Sequence, residues 1–237
     1  MKKTFLAVFF SLFILNSASA EIGVNVGVSA QLGTMEAKGK EHTSDTTNVD
    51  GSVGNQTSDT EETIFGTAGF FIEKDLSFLP GPFARLAVGF DNIAHDLDLG
   101  TQSNYRAASL GASGNAVEAM NHSLTAEVTG FQTVYATLNV TDWLYVKAGS
   151  VTVDIDTEYT QNGVKQTGYG NSHELDGTVL GIGVEKVADN GIFVRVEYND
   201  YDIDGKKVAN TKTDSKFSAE LLDVSGSTGR ISVGKSF

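Results

Sequence analysis

The chain has no cysteine and only two prolines among its 237 residues. Without thiols there is no disulfide framework and no cysteine for a lipid anchor, so stability has to come from a backbone ladder and its packing. Pro80 and Pro82 share one turn, which leaves every extended segment free of a residue that cannot donate to a ladder. After Ala20 no eighteen apolar residues run together, and that excludes a membrane-spanning helix. Cations are scarce too: 17 Lys and Arg face 30 Asp and Glu, a formal charge of -13. Nucleic acid, whose phosphates need Lys and Arg, is excluded as a partner.

What is present begins with an address. Lys2 and Lys3 precede an apolar core from Phe5 to Leu15, and Ala18-Ser19-Ala20 stands before Glu21. This order of positive, apolar and small-residue regions predicts a secretory signal peptide over 1–20 and a mature chain of 21–237 with a formal charge of about -15.

The mature chain opens with an apolar residue at each even position from Ile22 to Leu32 and Gly, Asn, Ser or Gln between them. Side chains alternate across a strand, so this run has one oily and one polar face. Similar segments follow at Ile64–Ile72, Ala84–Asp91, Leu124–Val140, from Trp143, around Leu180–Val184, at Ile192–Val196 and at the C-terminus. At Gly149-Ser150 the apolar phase of the fifth segment moves from even to odd positions, which predicts a bulge. Connections alternate in length. The stretches 38–62, 92–122, 156–176 and 202–216 are long and polar, whereas Pro80-Gly81-Pro82, Thr141-Asp142 and Asp189-Asn190-Gly191 mark tight turns. Lipid offers no partner to an open sheet edge, so an exported chain of this pattern spans a membrane only as a closed barrel. The expectation is an all-β, antiparallel up-and-down transmembrane β-barrel of eight strands, or ten if 92–122 contains a hairpin.

The chain ends Ile231-Ser232-Val233-Gly234-Lys235-Ser236-Phe237. This ending resembles the C-terminal signal of bacterial outer-membrane barrels, with Ile231, Val233 and Phe237 carrying the likeness. Lys235 departs from it, standing where that group often has an aromatic. Over the mature chain the long-loop, short-turn pattern is similar to small eight-stranded barrels of the OmpA-like, OmpX-like and opacity-protein groups. The resemblance implies the outer membrane of a Gram-negative bacterium, contact with its lipid and lipopolysaccharide, and delivery to the barrel-assembly machinery through the last strand.

With the apolar face outward, Arg85, Asp91, Glu127, Lys147, Glu185, Arg195, Glu197 and Arg230 fall inside. An eight-stranded lumen is only wide enough for side chains to fill, so these charges are expected to pair across it. Trp143 and Tyr145 at one rim, with Tyr198 and Tyr201 near the other, fit interfacial girdles. Asp200, Asp202 and Asp204 match the start of a calcium loop, but the twelfth position holds Thr211 instead of a bidentate carboxylate. His42, His95, His122 and His173 fall in or beside the loops, and His122-Ser123 is the one adjacent base and hydroxyl, with no third group assigned to orient it. No cofactor is called for. The sequence therefore points to a non-enzymatic outer-membrane barrel with a structural or surface-interaction role (adhesion, shielding or ligand binding) through long acidic extracellular loops, with a small porin or narrow channel for small solutes as the alternative.

Overall fold

The computed structural model describes residues 23–42, 56–93, 95–106, 109–110, 116–117, 119–165, 172–209 and 218–237. The predicted signal peptide and the tips of the predicted long loops lie outside these residues.

Twelve strands occur in chain order among the described residues: β1 (Val24–His42), β2 (Gln56–Asp75), β3 (Leu86–Ile93), β4 (Leu97–Arg106), β5 (Ser109–Leu110), β6 (Ala116–Val117), β7 (Met120–Asn139), β8 (Leu144–Gln161), β9 (Val164–Lys165), β10 (Ser172–Val187), β11 (Ile192–Ala209) and β12 (Ser218–Ser236). The ladder runs β1–β2–β3–β7–β8–β10–β11–β12 and returns to β1, antiparallel throughout, which closes eight staves into a barrel. Closure joins the two ends of the chain. Asn25 pairs with Ser236, and the Phe237 amide donates to the Val24 carbonyl at 2.9 Å.

β4 continues the third stave, pairing with β7 from Leu97↔Val128 to Arg106↔Met120. The hairpin allowed for in 92–122 exists as the two-residue strands β5 and β6, which form a separate sheet, so the barrel keeps eight staves. Where long loops were expected, the strands instead run on: β1 extends to His42 and β8 to Gln161. β8 then turns into β9 through Asn162-Gly163, with φ of 49° and 76°. That pair of positive φ angles is the two-residue hairpin geometry for which Asn-Gly is suited. The Asp189-Asn190-Gly191 turn is wider. Gly191 at φ 80° donates to the Ala188 carbonyl while Ala188 donates to that of Ile192, a type I turn followed by a left-handed glycine.

The phase change at Gly149 has a different cause from the one predicted. β8 holds constant register with β10 from Ser172↔Asp156 to Val184↔Leu144, so it carries no bulge there. Tyr145, Lys147, Val151 and Val153 all face inward on the same odd phase. What changes is the lumen, which is charged near one end and apolar near the other. The register shift falls instead on β7 between Val128 and Gly130. It turns Val128 inward and leaves Glu127 exposed on the outer face, which removes Glu127 from the predicted lumen set.

Candidate functional site

Outside, the barrel carries an apolar girdle. Val26, Val28 and Leu32 of β1, Ile64 and Phe70 of β2, Leu180, Ile182 and Val184 of β10, Val194 and Val196 of β11, and Ile231 and Val233 of β12 are exposed large apolar side chains. Leu32 is 72 % and Ile64 81 % exposed. A continuous apolar belt of this kind is stable against hydrocarbon, whereas a soluble monomer rarely exposes a contiguous apolar face to water. Trp143, Phe78, Phe83 and Phe237 stand exposed at the short-turn end and Tyr198 toward the other. Tyr145 and Tyr201 do not belong to the girdles: both are buried in the lumen, where Tyr201 meets the Phe131 ring edge-on at 5.5 Å.

Inside, three layers succeed one another from the short turns toward the other end of the barrel. Nearest the short turns is an ionic floor. Arg195 grips Glu73 with two hydrogen bonds, Nη1 to Oε1 at 2.5 Å and Nη2 to Oε2 at 2.6 Å, while its Nε donates to Glu185. Arg195 uses all three nitrogens, and the planar fork suits the carboxylate it meets. The Tyr135 hydroxyl donates to Glu73 Oε1 at 2.8 Å. A second group centres on Arg230, which pairs with Asp91 and, at 3.4 Å, with Glu197; Glu197 also accepts from Lys147 Nζ at 3.5 Å. The Lys147 ammonium lies 4.3 Å from the centroid of the Tyr135 ring, and the Arg195 guanidinium 4.6 Å from that of Phe193. Charge and quadrupole thus complement one another where water is excluded.

Six of the eight predicted lumen charges, Asp91, Lys147, Glu185, Arg195, Glu197 and Arg230, come together in this floor. Arg85 does not. It lies in the 3-10 turn Gly81–Arg85 at the rim and donates to the Val140 carbonyl at 3.2 Å, because the stave begins only at Leu86. The sequence reading missed Glu73, the most connected carboxylate of the floor. Its signal was present: continuing the odd, inward phase of Thr67, Gly69 and Phe71 past Ile72 reaches it. Glycines make room for this packing. A Cβ on Gly183 would stand 2.5 Å from Tyr145 Cζ, so the ring is laid flat over the glycine of the adjacent strand.

The middle layer is polar but uncharged. Gln31, Thr67, Asn199 and Thr228 are buried here, with Thr228 Oγ1 3.5 Å from Gln31 Oε1. Neither amide atom of Asn199, nor Thr67 Oγ1, has a hydrogen-bond partner in the protein. Above it lies an apolar ceiling of Val128, Phe131, Val151, Val153, Leu175, Val179, Tyr201, Ile203 and Val224. This layer adds packed apolar side chains to a lumen that the sequence marked only by its charges.

The remaining candidates lie apart from the lumen. Asp200, Asp202 and Asp204 are exposed at alternate positions on the outer face of β11, as a strand requires, and not wrapped in a loop. Among the described residues no group of three His or acidic side chains is arranged to hold a metal ion. Ser123 Oγ meets Thr160 Oγ1 at 2.5 Å, and His95 Nε2 accepts the Ala68 amide at 3.0 Å. At the C-terminus Ile231 and Val233 face lipid, and the Lys235 ammonium lies 5.4 Å from the centroid of the Phe237 ring.

A closed antiparallel ladder of eight strands, an apolar girdle and a filled interior define an outer-membrane-type transmembrane β-barrel. The Gram-negative outer membrane is the setting of single-chain barrels with an even number of strands, short turns on one side and long connections on the other, and it is the location of this chain. No family model matches the chain and no curated protein sequence does. Among solved structures it is similar to the attachment invasion locus protein Ail of Yersinia pestis, with 10% identity, 89% of this chain and 99% of that one covered, and a TM-score of 0.32. It is similar as well to OprG of Pseudomonas aeruginosa (8% identity, 91% and 97% covered, TM-score 0.36) and to Neisserial surface protein A (12% identity, 85% and 95% covered, TM-score 0.32).

Proposed function

We propose that the chain is a non-enzymatic outer-membrane barrel that acts through what it presents beyond the membrane, as an adhesion, shielding or ligand-binding surface. The observation that carries this reading is the lumen, filled by ion pairs at one level and by packed apolar side chains at another. Strand length adds to it. Staves of 16 to 20 residues are far longer than the ~10 that a tilted strand needs to cross hydrocarbon, so the wall projects as a stalk. The stalk is acidic outside, with Asp156, Glu158, Glu174, Asp176, Asp200, Asp202 and Asp204 exposed. Such a surface suits a cationic partner, or lipopolysaccharide phosphates bridged by divalent cations. The outward Ile231 and Val233 and the terminal Phe237 would carry the chain to the barrel-assembly machinery.

Planar-bilayer recording of the refolded protein tests the reading. The expected record is free of stable, reproducible conductance steps, and their presence would favour the second reading, a narrow channel for small solutes. The unpartnered Asn199 and Thr67 at mid-lumen are what speak for that alternative.

A further inference from the structure

The short-turn rim of the barrel differs from sector to sector. Phe78 and Phe83 stand exposed beside the β2–β3 turn and Trp143 beside the β7–β8 turn. The outer faces of β10 and β12 end instead in exposed cations, Lys186 and Lys235, on either side of β11. Lys235 occupies the position that is often aromatic in the barrels whose ending this chain resembles.

The ladder registers place Lys235 at the foot of a groove. Lys235, Val26 and Ile72 form one row across β12, β1 and β2, and Val233, Val28 and Phe70 form the next row on the same outer face. Together they line a groove of about 540 Å³ on the outside of the wall. Further along the same three strands the wall is thinned by small residues. Ala30, Gly66, Ala68 and Gly229 leave a second hollow of about 590 Å³ beside Leu32 and Ile231. His95 stands at its edge, with Nε2 taken by the Ala68 amide at 3.0 Å.

The length of this path fits one leaflet. From Val26 to Leu32 the chain advances six residues, about 20 Å at ~3.3 Å each, and a ~45° tilt converts that to a depth of about 14 Å. Half of a ~30 Å hydrocarbon core is the same depth. The short turns of such a barrel face the periplasm, so the leaflet concerned is the inner one, which is built of phospholipid. An apolar path of acyl-chain length with an ammonium at its head complements a lipid whose headgroup is negative.

We infer that this sector of the wall is a binding site for an anionic phospholipid of the inner leaflet. The phosphate lies at Lys235, one acyl chain runs along Val26, Val28 and Phe70 toward Ala30, and Lys186 adds positive charge from across β11. The site is independent of whatever the loops meet outside. The Phe237 ring, its centroid 5.4 Å from the Lys235 ammonium, holds that charge at the rim. Of the nearby anions, the Phe237 carboxylate accepts the Val24 amide at 3.3 Å, and Asp189 stands exposed in the turn beyond the strand ends.

Tryptophan quenching in vesicles tests the site. The reporter is Phe70→Trp in a Trp143→Phe background, which puts the one indole in the groove with little change of shape. The protein is refolded into phosphatidylcholine vesicles that contain a minor fraction of brominated phosphatidylglycerol or, in parallel, the same fraction of brominated phosphatidylcholine. The anionic lipid should quench the reporter more strongly, as an enrichment of about fivefold at the groove, the factor that ~1 kcal/mol for a cation beside anionic lipid gives. Adding Lys235→Gln should abolish most of the excess, Lys235→Arg should keep it, and Lys186→Gln should diminish it only in part. Equal quenching by the two brominated lipids overturns the site, and an excess that survives Lys235→Gln overturns its placement at Lys235. Heat-dependent gel mobility reports folding of each variant, and Val28→Trp replaces the reporter if Phe70→Trp does not fold.

Discussion

The ionic floor and the apolar ceiling occupy the same barrel a few residues apart along β8, β10, β11 and β12, yet they are held by opposite physics. In the floor every guanidinium has a carboxylate, and the directional bonds of Arg195 to Glu73 and Glu185 set side-chain positions as well as energy. In the ceiling directional contacts are few, the edge-on meeting of Phe131 with Tyr201 among them, and close fit among Val151, Val153, Val179 and Ile203 does the same task. The floor is thus intolerant of losing one partner and tolerant of losing both together; the ceiling tolerates small apolar changes and resists any polar one.

The sharpest way to break the comparison is to orphan a charge. Glu73→Ala leaves Arg195 with Glu185 alone and should cost about 3 to 5 kcal/mol, read as a lower urea midpoint in lipid vesicles. A midpoint equal to that of the parent would show that the floor is not a coupled network. Phe131→Ala opens a cavity in the ceiling at a comparable cost, about 3 kcal/mol or more, and Val151→Thr places a hydroxyl there for about 1 to 3 kcal/mol. If Val151→Thr proves neutral in the same unfolding assay, the outer lumen is wet. Turning part of the floor into ceiling should cost less than orphaning. Lys147→Met combined with Glu197→Leu should be milder than Glu197→Leu alone, because the single change strands Lys147 while Arg230 keeps Asp91. Additivity of the two changes would argue against their pairing. Smallest of all, Glu158→Gln removes an exposed pair with Lys165 at 2.7 Å and should shift stability by less than about 1 kcal/mol, with that shift vanishing at high salt.

The floor was largely legible in the sequence, because period-two alternation assigns each charge on a regular strand to one face, and Asp91, Lys147, Arg195, Glu197 and Arg230 all lie on regular strands. Arg85 and Glu127 were misplaced for the same reason in two forms. One sits in a 3-10 turn just before a strand begins, and the other lies one residue from a register shift, where alternation stops carrying information. The ceiling was illegible because its inward valines look like outward ones: hydrophobicity says which residues leave water, and both lipid and a packed interior satisfy that. Hence Val151 and Val153 read as a slipped phase. Asn162-Gly163, by contrast, announced a hairpin in the sequence and was passed over for lying inside a long polar stretch.

The meeting of β1 with β12 has a consequence for how the protein comes to exist. Asn25 and Ser236 are ladder neighbours although nearly the whole chain separates them. The final rung cannot form until the last residue has been delivered, so translocation has to finish before the cylinder is watertight. Until then two raw backbone edges lack their partners, and closure is the step that removes both at once.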